Sequence, residues 1–145
     1  MIGIVIVSHE RISKEFVVAL EHIVGKQEDI EAISIFPGDN VEKRRKEIIN
    51  AIKKVDTGNG VIILTDMFGG TPSNLAISVM EDKKVEVIAG VNLPMLIKMT
   101  SLRKDHSLKD LISISQESGR KYINVASAFF GDSKDWTKKK QKEKY

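Results

Sequence analysis

The chain has 145 residues, 41% hydrophobic and 30% charged, with no cysteine. That balance fits one soluble globular domain with a real core, and it excludes disulfides, thiol catalysis and thiolate metal sites. Residues 134–145 carry six lysines and two acids, +4 of a chain total of +3, so the rest sits at −1 and the basicity marks a tail, not a nucleic-acid surface.

The first apolar run, Ile2-Gly3-Ile4-Val5-Ile6-Val7, reads as a short buried strand. No basic segment precedes it, so it is not an export signal, and no stretch approaches the roughly 20 apolar residues that span a bilayer. A cytoplasmic location is the expectation. Ser8 and His9 follow the strand. Ser13 can cap a helix carrying Phe16, Val17, Leu20, Ile23 and Val24 and stopped by Gly25. Ala32–Phe36 is a second strand, closed by Pro37-Gly38. Asp39 with Glu42 resembles a capping box for a helix carrying Val41, Ile48, Ile49, Ile52 and Val55.

Gly60–Thr65 is a third strand, and Thr71-Pro72 opens a third helix. Val85–Ala89 is a fourth strand, Pro94 opens a fourth helix, and Ser107 caps a fifth that stops at Gly119. The β-α-β-α order implies a single-domain α/β fold: an open, mostly parallel, doubly wound sheet with helices on both faces. Tyr122–Phe130 is β-prone with no helix after it. It is expected as an antiparallel C-terminal edge strand, or as a strand paired with a second subunit. The domain is placed at residues 1–131, with a basic, frayed tail over 132–145.

In a parallel sheet the carboxyl ends of the strands share one edge. Strand one delivers His9 there, and strand three delivers Asp66 and the turn Gly69-Gly70-Thr71-Pro72-Ser73. If those strands are neighbours, Asp66 faces His9 across a crevice. An aspartate on one ring nitrogen fixes the tautomer and frees the other nitrogen as a nucleophile. Gly69 and Gly70 let backbone amides approach an anion, the helix start favours a phosphate, and the hydroxyls of Thr71 and Ser73 add donors. Each part has a plainer reading alone: a loop histidine, a turn aspartate, a strand-to-helix connection. Their convergence on one edge describes a phosphohistidine site. His22 and His106 are read as exposed and unpartnered. The chain has no Walker lysine loop, no Gly-x-Gly-x-x-Gly and no Gly-x-Ser-x-Gly elbow, and a zinc site is not expected.

Ile4–His9 (IVIVSH), Phe36–Asn40 (FPGDN), Asp66–Asn74 (DMFGGTPSN) and Val87–Leu96 (VIAGVNLPML) together resemble the IIA component of mannose-family sugar phosphotransferase systems. The resemblance runs from Met1 to about Gly119. It implies that His9 accepts a phosphoryl group at Nε2 from phosphorylated HPr and passes it to a histidine of the IIB component, for sugar uptake through the IIC and IID membrane components. It implies that Asp66 bonds Nδ1, that Thr71 offers a hydroxyl, and that Val91–Leu96 shapes the same edge. It implies no metal or cofactor, and a homodimer that exchanges a C-terminal strand. Glu10 stands where many relatives have glycine. A subunit feeding a dihydroxyacetone kinase and a non-catalytic sensor on the same fold are the alternatives; the Gly-Gly-Thr-Pro-Ser-Asn and Asn-Leu-Pro-Met-Leu blocks favour the mannose type.

Overall fold

The computed structural model describes residues 1–81 and 84–130. Four strands, β1 (Gly3–His9), β2 (Ile30–Ile35), β3 (Val61–Thr65) and β4 (Val85–Ala89), form one sheet in the order β2-β1-β3-β4. Every neighbouring pair is parallel, with His9 opposite Ile35 and Val7 opposite Thr65. The helices are α1 (Ile12–Val24), α2 (Val41–Val55), α3 (Thr71–Ser78), α4 (Leu93–Leu102), α5 (Leu108–Lys121) and α6 (Ala126–Phe130). The α/β class and doubly wound sheet expected from the alternation are what the chain adopts.

The central strands β1 and β3 read as apolar runs because both of their faces are covered. Alternate residues of a strand point to opposite faces. Ile4 and Ile6 pack with Ile62, Leu64, Leu20, Leu96, Met99 and Leu111 on the α1, α4 and α5 side. Val5 and Val7 pack with Ile33, Ile63, Ile48, Val55 and Leu75 on the α2 and α3 side. Ile4, Val5, Ile6 and Val7 are wholly buried. Each contributes about 1.5–3 kcal/mol relative to exposure, which fixes the strand that carries His9.

At the opposite edge of the sheet lies a buried cation. Arg103, 2% exposed, follows α4. Its guanidinium donates to the carbonyls of Ile2, Glu28 and Asp29 and to Oε1 of Gln27. Its own carbonyl accepts from the Ile2 N–H at 3.2 Å. The planar fork thus satisfies several carbonyls at once and ties the start of β1 to the α1–β2 loop. Burial pushes its pKa below the ordinary arginine value, with Asp29 and Glu28 opposing.

The structure departs from four local expectations. Tyr122–Phe130 is not a strand: Ala126–Phe130 is helical, with the Phe129 N–H bonded to the Val125 carbonyl at 2.9 Å. Ala126, Ser127 and Ala128 favour a local helical turn over a strand that has no partner row among the described residues. α5 runs past Gly119 to Lys121. Gly119 serves packing, since a Cβ there would lie 2.7 Å from Met95 Cε.

Ser13 lies inside α1 and donates its hydroxyl to the Ile33 carbonyl, while its N–H is accepted by Ser8 Oγ at 2.6 Å. Asn40, not Asp39, caps α2, its Oδ1 accepting from the Lys43 N–H. Asp39 accepts instead from the Phe36 N–H and from Arg44 Nε, each at 2.8 Å, and those contacts hold its carboxyl below its usual pKa. The tail expected over 132–145 lies outside the described residues. Among the described residues no helix is long and apolar enough to cross a membrane.

Candidate functional site

β1 and β3 are neighbours although β2 intervenes in sequence, because β2 sits on the other side of β1. The chain therefore reverses its winding direction between β1 and β3. Ligands of open α/β sheets bind in the crevice outside the carboxyl ends of the strands at such a point. His9 ends β1 and Asp66 follows β3, so both stand in that crevice.

The pleat decides which way His9 turns. Ile4 and Ile6 face α1, and Ser8 continues that face, where its hydroxyl meets the Ser13 N–H. His9 shares the parity of Val5 and Val7 and so faces the α3 side. Its ring there meets the β3–α3 connection. Asp66 Oδ2 accepts from His9 twice: from the backbone N–H at 2.9 Å and from Nδ1 at 2.8 Å. A carboxylate oxygen only accepts, so Nδ1 carries a proton, and in the neutral ring the lone pair is on Nε2. The Asp66 side chain is 14% exposed and that of His9 43%, so the orienting group is shielded while the ring opens outward.

Gly70 lies on the other side of the ring. A Cβ built there would stand 3.0 Å from His9 Nε2 and 3.3 Å from Cε1. Gly70 is the N-cap of α3, at φ 99° and ψ 174°, a conformation essentially reserved for glycine. Gly69, at φ 85°, precedes it with open space around its Cβ direction. The first intrahelical bond of α3 runs from the Asn74 N–H to the Gly70 carbonyl. Thr71, the first residue of α3, is exposed, and the positive end of the helix dipole lies at this turn.

Ser73 behaves differently from the expectation. It is wholly buried, and its hydroxyl donates inward to the Gly70 carbonyl at 3.3 Å. The hydroxyl braces the turn. The structure thus brings together His9, Asp66 and Gly70, with Gly69 and Thr71 the chain neighbours of Gly70.

Two neighbours gain a role that sequence reasoning did not give them. Ser8 joins the end of β1 to the first turn of α1, accepting from Ser13 and donating to the His9 carbonyl at 3.1 Å. Its adjacency to His9 was the only signal. Glu10 has φ 52°, in the left-handed region, and its N–H donates to the Ile35 carbonyl at 2.9 Å. This backbone gives a physical reason for glycine at that position: a side chain there is strained. Glu10→Gly is expected to raise the stability to denaturant by about 1 kcal/mol, read from the urea midpoint at unchanged slope. An unchanged or lower midpoint would show that the glutamate side chain offsets its backbone strain.

Asn92, from the expected edge-shaping block, caps α4 through the Met95 N–H and donates its Nδ2 to the Gly119 carbonyl at 2.8 Å. It locks α4 to α5. His106 is tied by Nδ1 to the Leu102 carbonyl at 3.1 Å, so it is not unpartnered. Among the described residues no group of three or more His, Asp or Glu side chains is placed to hold a metal ion.

Comparison with known proteins shows the family to which the chain belongs. A family model, EIIA-man (PTS system fructose IIA component), matches residues 3–116. The PTS system mannose-specific EIIAB component of Escherichia coli (strain K12) is 36% identical over 129 residues, 88% of this chain. The chain spans only 40% of the length of that relative. The PTS system fructose-specific EIIA component of Bacillus subtilis (strain 168) is 33% identical over 132 residues, 88% of each chain. The crystal structure of phosphotransferase system component EIIA from Streptococcus agalactiae superposes with a TM-score of 0.80 at 29% identity, covering 88% of this chain and 99% of that one. With nearly its whole described domain matched, the chain belongs to the EIIA-man family, the mannose- and fructose-type IIA components of the phosphotransferase system.

Proposed function

We propose that this protein is a phosphoryl carrier in which His9 Nε2 accepts a phosphoryl group from phosphorylated HPr and donates it to a histidine of a IIB component. The observation that carries the reading is the ring of His9: Nδ1 is held by Asp66 at 2.8 Å, while Nε2 faces Gly70 and the start of α3. The Nε2 lone pair attacks phosphorus in line, and the P–N bond to the donor imidazole breaks with its electron pair returning to that ring. The His9 ring becomes cationic, and the Asp66 carboxylate stabilises it. The backbone at Gly70 and Thr71 and the helix dipole stabilise the equatorial oxygens. Such transfer asks mainly for positioning and charge stabilisation, which these residues supply. Onward transfer to IIB couples the carrier to sugar uptake through IIC and IID components.

The protein works in the cytoplasm as a homodimer. Support for the dimer comes from β4, which has one sheet neighbour, and from the exposed apolar residues Tyr122, Ile123, Val125 and Phe129 that follow α5. A second copy offers these segments a partner row that the described residues do not supply.

The test is labelling with radioactive phosphoenolpyruvate, enzyme I and HPr. The wild type should acquire an acid-labile, base-stable phosphate, and His9→Ala should acquire none. Full labelling of His9→Ala would overturn the assignment.

A further inference from the structure

The connection from β3 to α3 is pinned to the His9 ring at two points. Asp66 holds Nδ1 from one side, and Gly70 lies beside Nε2 on the other. Between these points the chain carries Met67, Phe68 and Gly69. Met67 is fixed through its N–H, which donates to Asp66 Oδ1 at 3.1 Å. The two large side chains at this crest turn outward: Met67 is 55% exposed and Phe68 63%. Nothing in the core requires them, since α3 and β3 bury Leu75, Ala76, Ile63 and Leu64 without them. On the other side of His9, Ile12 at the first turn of α1 is 44% exposed. Exposed apolar side chains thus stand close in sequence to both the His9 strand end and the Asp66 strand end.

We propose that Met67 and Phe68 select the phosphoryl donor: they are the contact through which His9 takes a phosphoryl group from a phosphohistidine carried on a protein surface, in preference to a small phosphorylated molecule. This rests on the reading of His9 as the phosphoryl acceptor. In-line transfer requires phosphorus to approach Nε2 to about 3–3.5 Å before the bond forms. When phosphorus is bonded to another protein's imidazole, the two ring planes are only a few ångströms apart, and the surfaces around them must touch. Gly70 stands beside Nε2, and Phe68 and Met67 precede it by two and three residues, so the crest borders any such contact. A small donor reaches Nε2 through the open face of the ring and needs no crest. Phe and Met are suited to this task because they are large, apolar and, in the case of Met, adaptable to more than one partner surface. A carrier that both receives and donates through one nitrogen must accept two different protein surfaces in turn, and an adaptable apolar crest suits that use.

The chemistry is the same with either donor. The bond from phosphorus to the donor nitrogen breaks, the bond to His9 Nε2 forms, and the leaving electron pair stays on the donor nitrogen, as imidazole or as ammonia. Only the recognition differs, and the test uses that difference. Initial rates of His9 phosphorylation are measured with phospho-HPr and with phosphoramidate for wild type, Phe68→Ala, Phe68→Leu and Met67→Ala/Phe68→Ala. With phospho-HPr, Phe68→Ala should lower kcat/KM at least 10-fold and the double variant about 100-fold, mostly through KM. Phe68→Leu should recover most of the loss. With phosphoramidate every variant should stay within twofold of wild type.

A protein-donor rate within twofold of wild type in the double variant would overturn the proposal. So would an equal loss with both donors, which would make the crest a support of the ring. Phe68 also lines a groove of about 360 Å³ beside β4, with Asn92, Gln116 and Ile123. A shift in sedimentation mass with unchanged transfer would assign Phe68 to a contact between copies of this chain, and would also overturn the proposal. Absence of wild-type labelling at His9 with both donors would defeat the functional reading itself, which is a separate result from any difference between variants.

Discussion

Asp66→Asn is expected to slow phosphorylation of His9 by roughly 100- to 10,000-fold, the range spanned by losing a positioned acid–base partner and by fixing the wrong imidazole tautomer. The carboxylate has two tasks at one oxygen. It accepts the His9 backbone N–H and the Nδ1–H, at 2.9 and 2.8 Å. Asparagine retains one acceptor and can keep the backbone bond. It cannot supply the negative charge that stabilises the ring once Nε2 bonds phosphorus. Its amide can also turn its NH₂ toward Nδ1, which then accepts, moves the proton to Nε2 and removes the nucleophilic lone pair. The fold should lose only about 1 kcal/mol, the net worth of a hydrogen bond. Quench-flow rates with phospho-HPr, alongside urea midpoints, separate the two effects. A rate within threefold of wild type would reduce Asp66 to a clamp on the β3–α3 connection.

How far the sequence alone could reach depended on what each feature rests on. β1 and β3 were legible because burial on both faces writes an unbroken apolar run, a signal of local composition. The cap at Ser107 was legible because a cap bonds within three residues, as Ser107 does with the Asp110 N–H. The cap of α1 was not. Its acceptor is Ser8 on the preceding strand, and the hydroxyl chosen from local spacing, Ser13, is spent on the Ile33 carbonyl of β2 instead. Gly119 looked like a helix stop, but its reason is Met95 on another helix. Tyr122–Phe130 has β-prone residues, yet strand formation is a pairing event and no pairing partner is written within the segment.

The site divides the same way. His9 and Asp66 were each placed at a strand end, but their meeting depended on β1 and β3 being neighbours, which is a matter of crossover direction and not of residue type. The inward turn of the Ser73 hydroxyl and the left-handed Glu10 backbone both follow from the path of the chain around the ring. Neither could be read from spacing.

The two adjacent glycines beside the ring can be told apart by one methyl group each. Gly69→Ala and Gly70→Ala both place a Cβ on a backbone of positive φ, 85° and 99°. Both should therefore destabilise the fold, by about 1 kcal/mol for Gly69 and about 1–3 kcal/mol for Gly70, whose φ and ψ fall in the region that only glycine occupies at low cost. Their effects on transfer should diverge. The Gly69 methyl enters open space, whereas the Gly70 methyl stands 3.0 Å from Nε2. A phosphoryl group bonded at Nε2 places its oxygens within that same distance of the nitrogen. The methyl and the phosphoryl oxygens therefore compete for one volume, and relief requires moving the ring that Asp66 holds or the helix start that polarises the oxygens. A displacement of about 1 Å at a reacting centre costs on the order of 100-fold. Gly70→Ala should lose phosphorylation by about that factor at a temperature where it remains folded, and Gly69→Ala should stay within threefold of wild type. Equal transfer rates in the two variants would mean that phosphorus approaches the ring from a direction that Gly70 does not border.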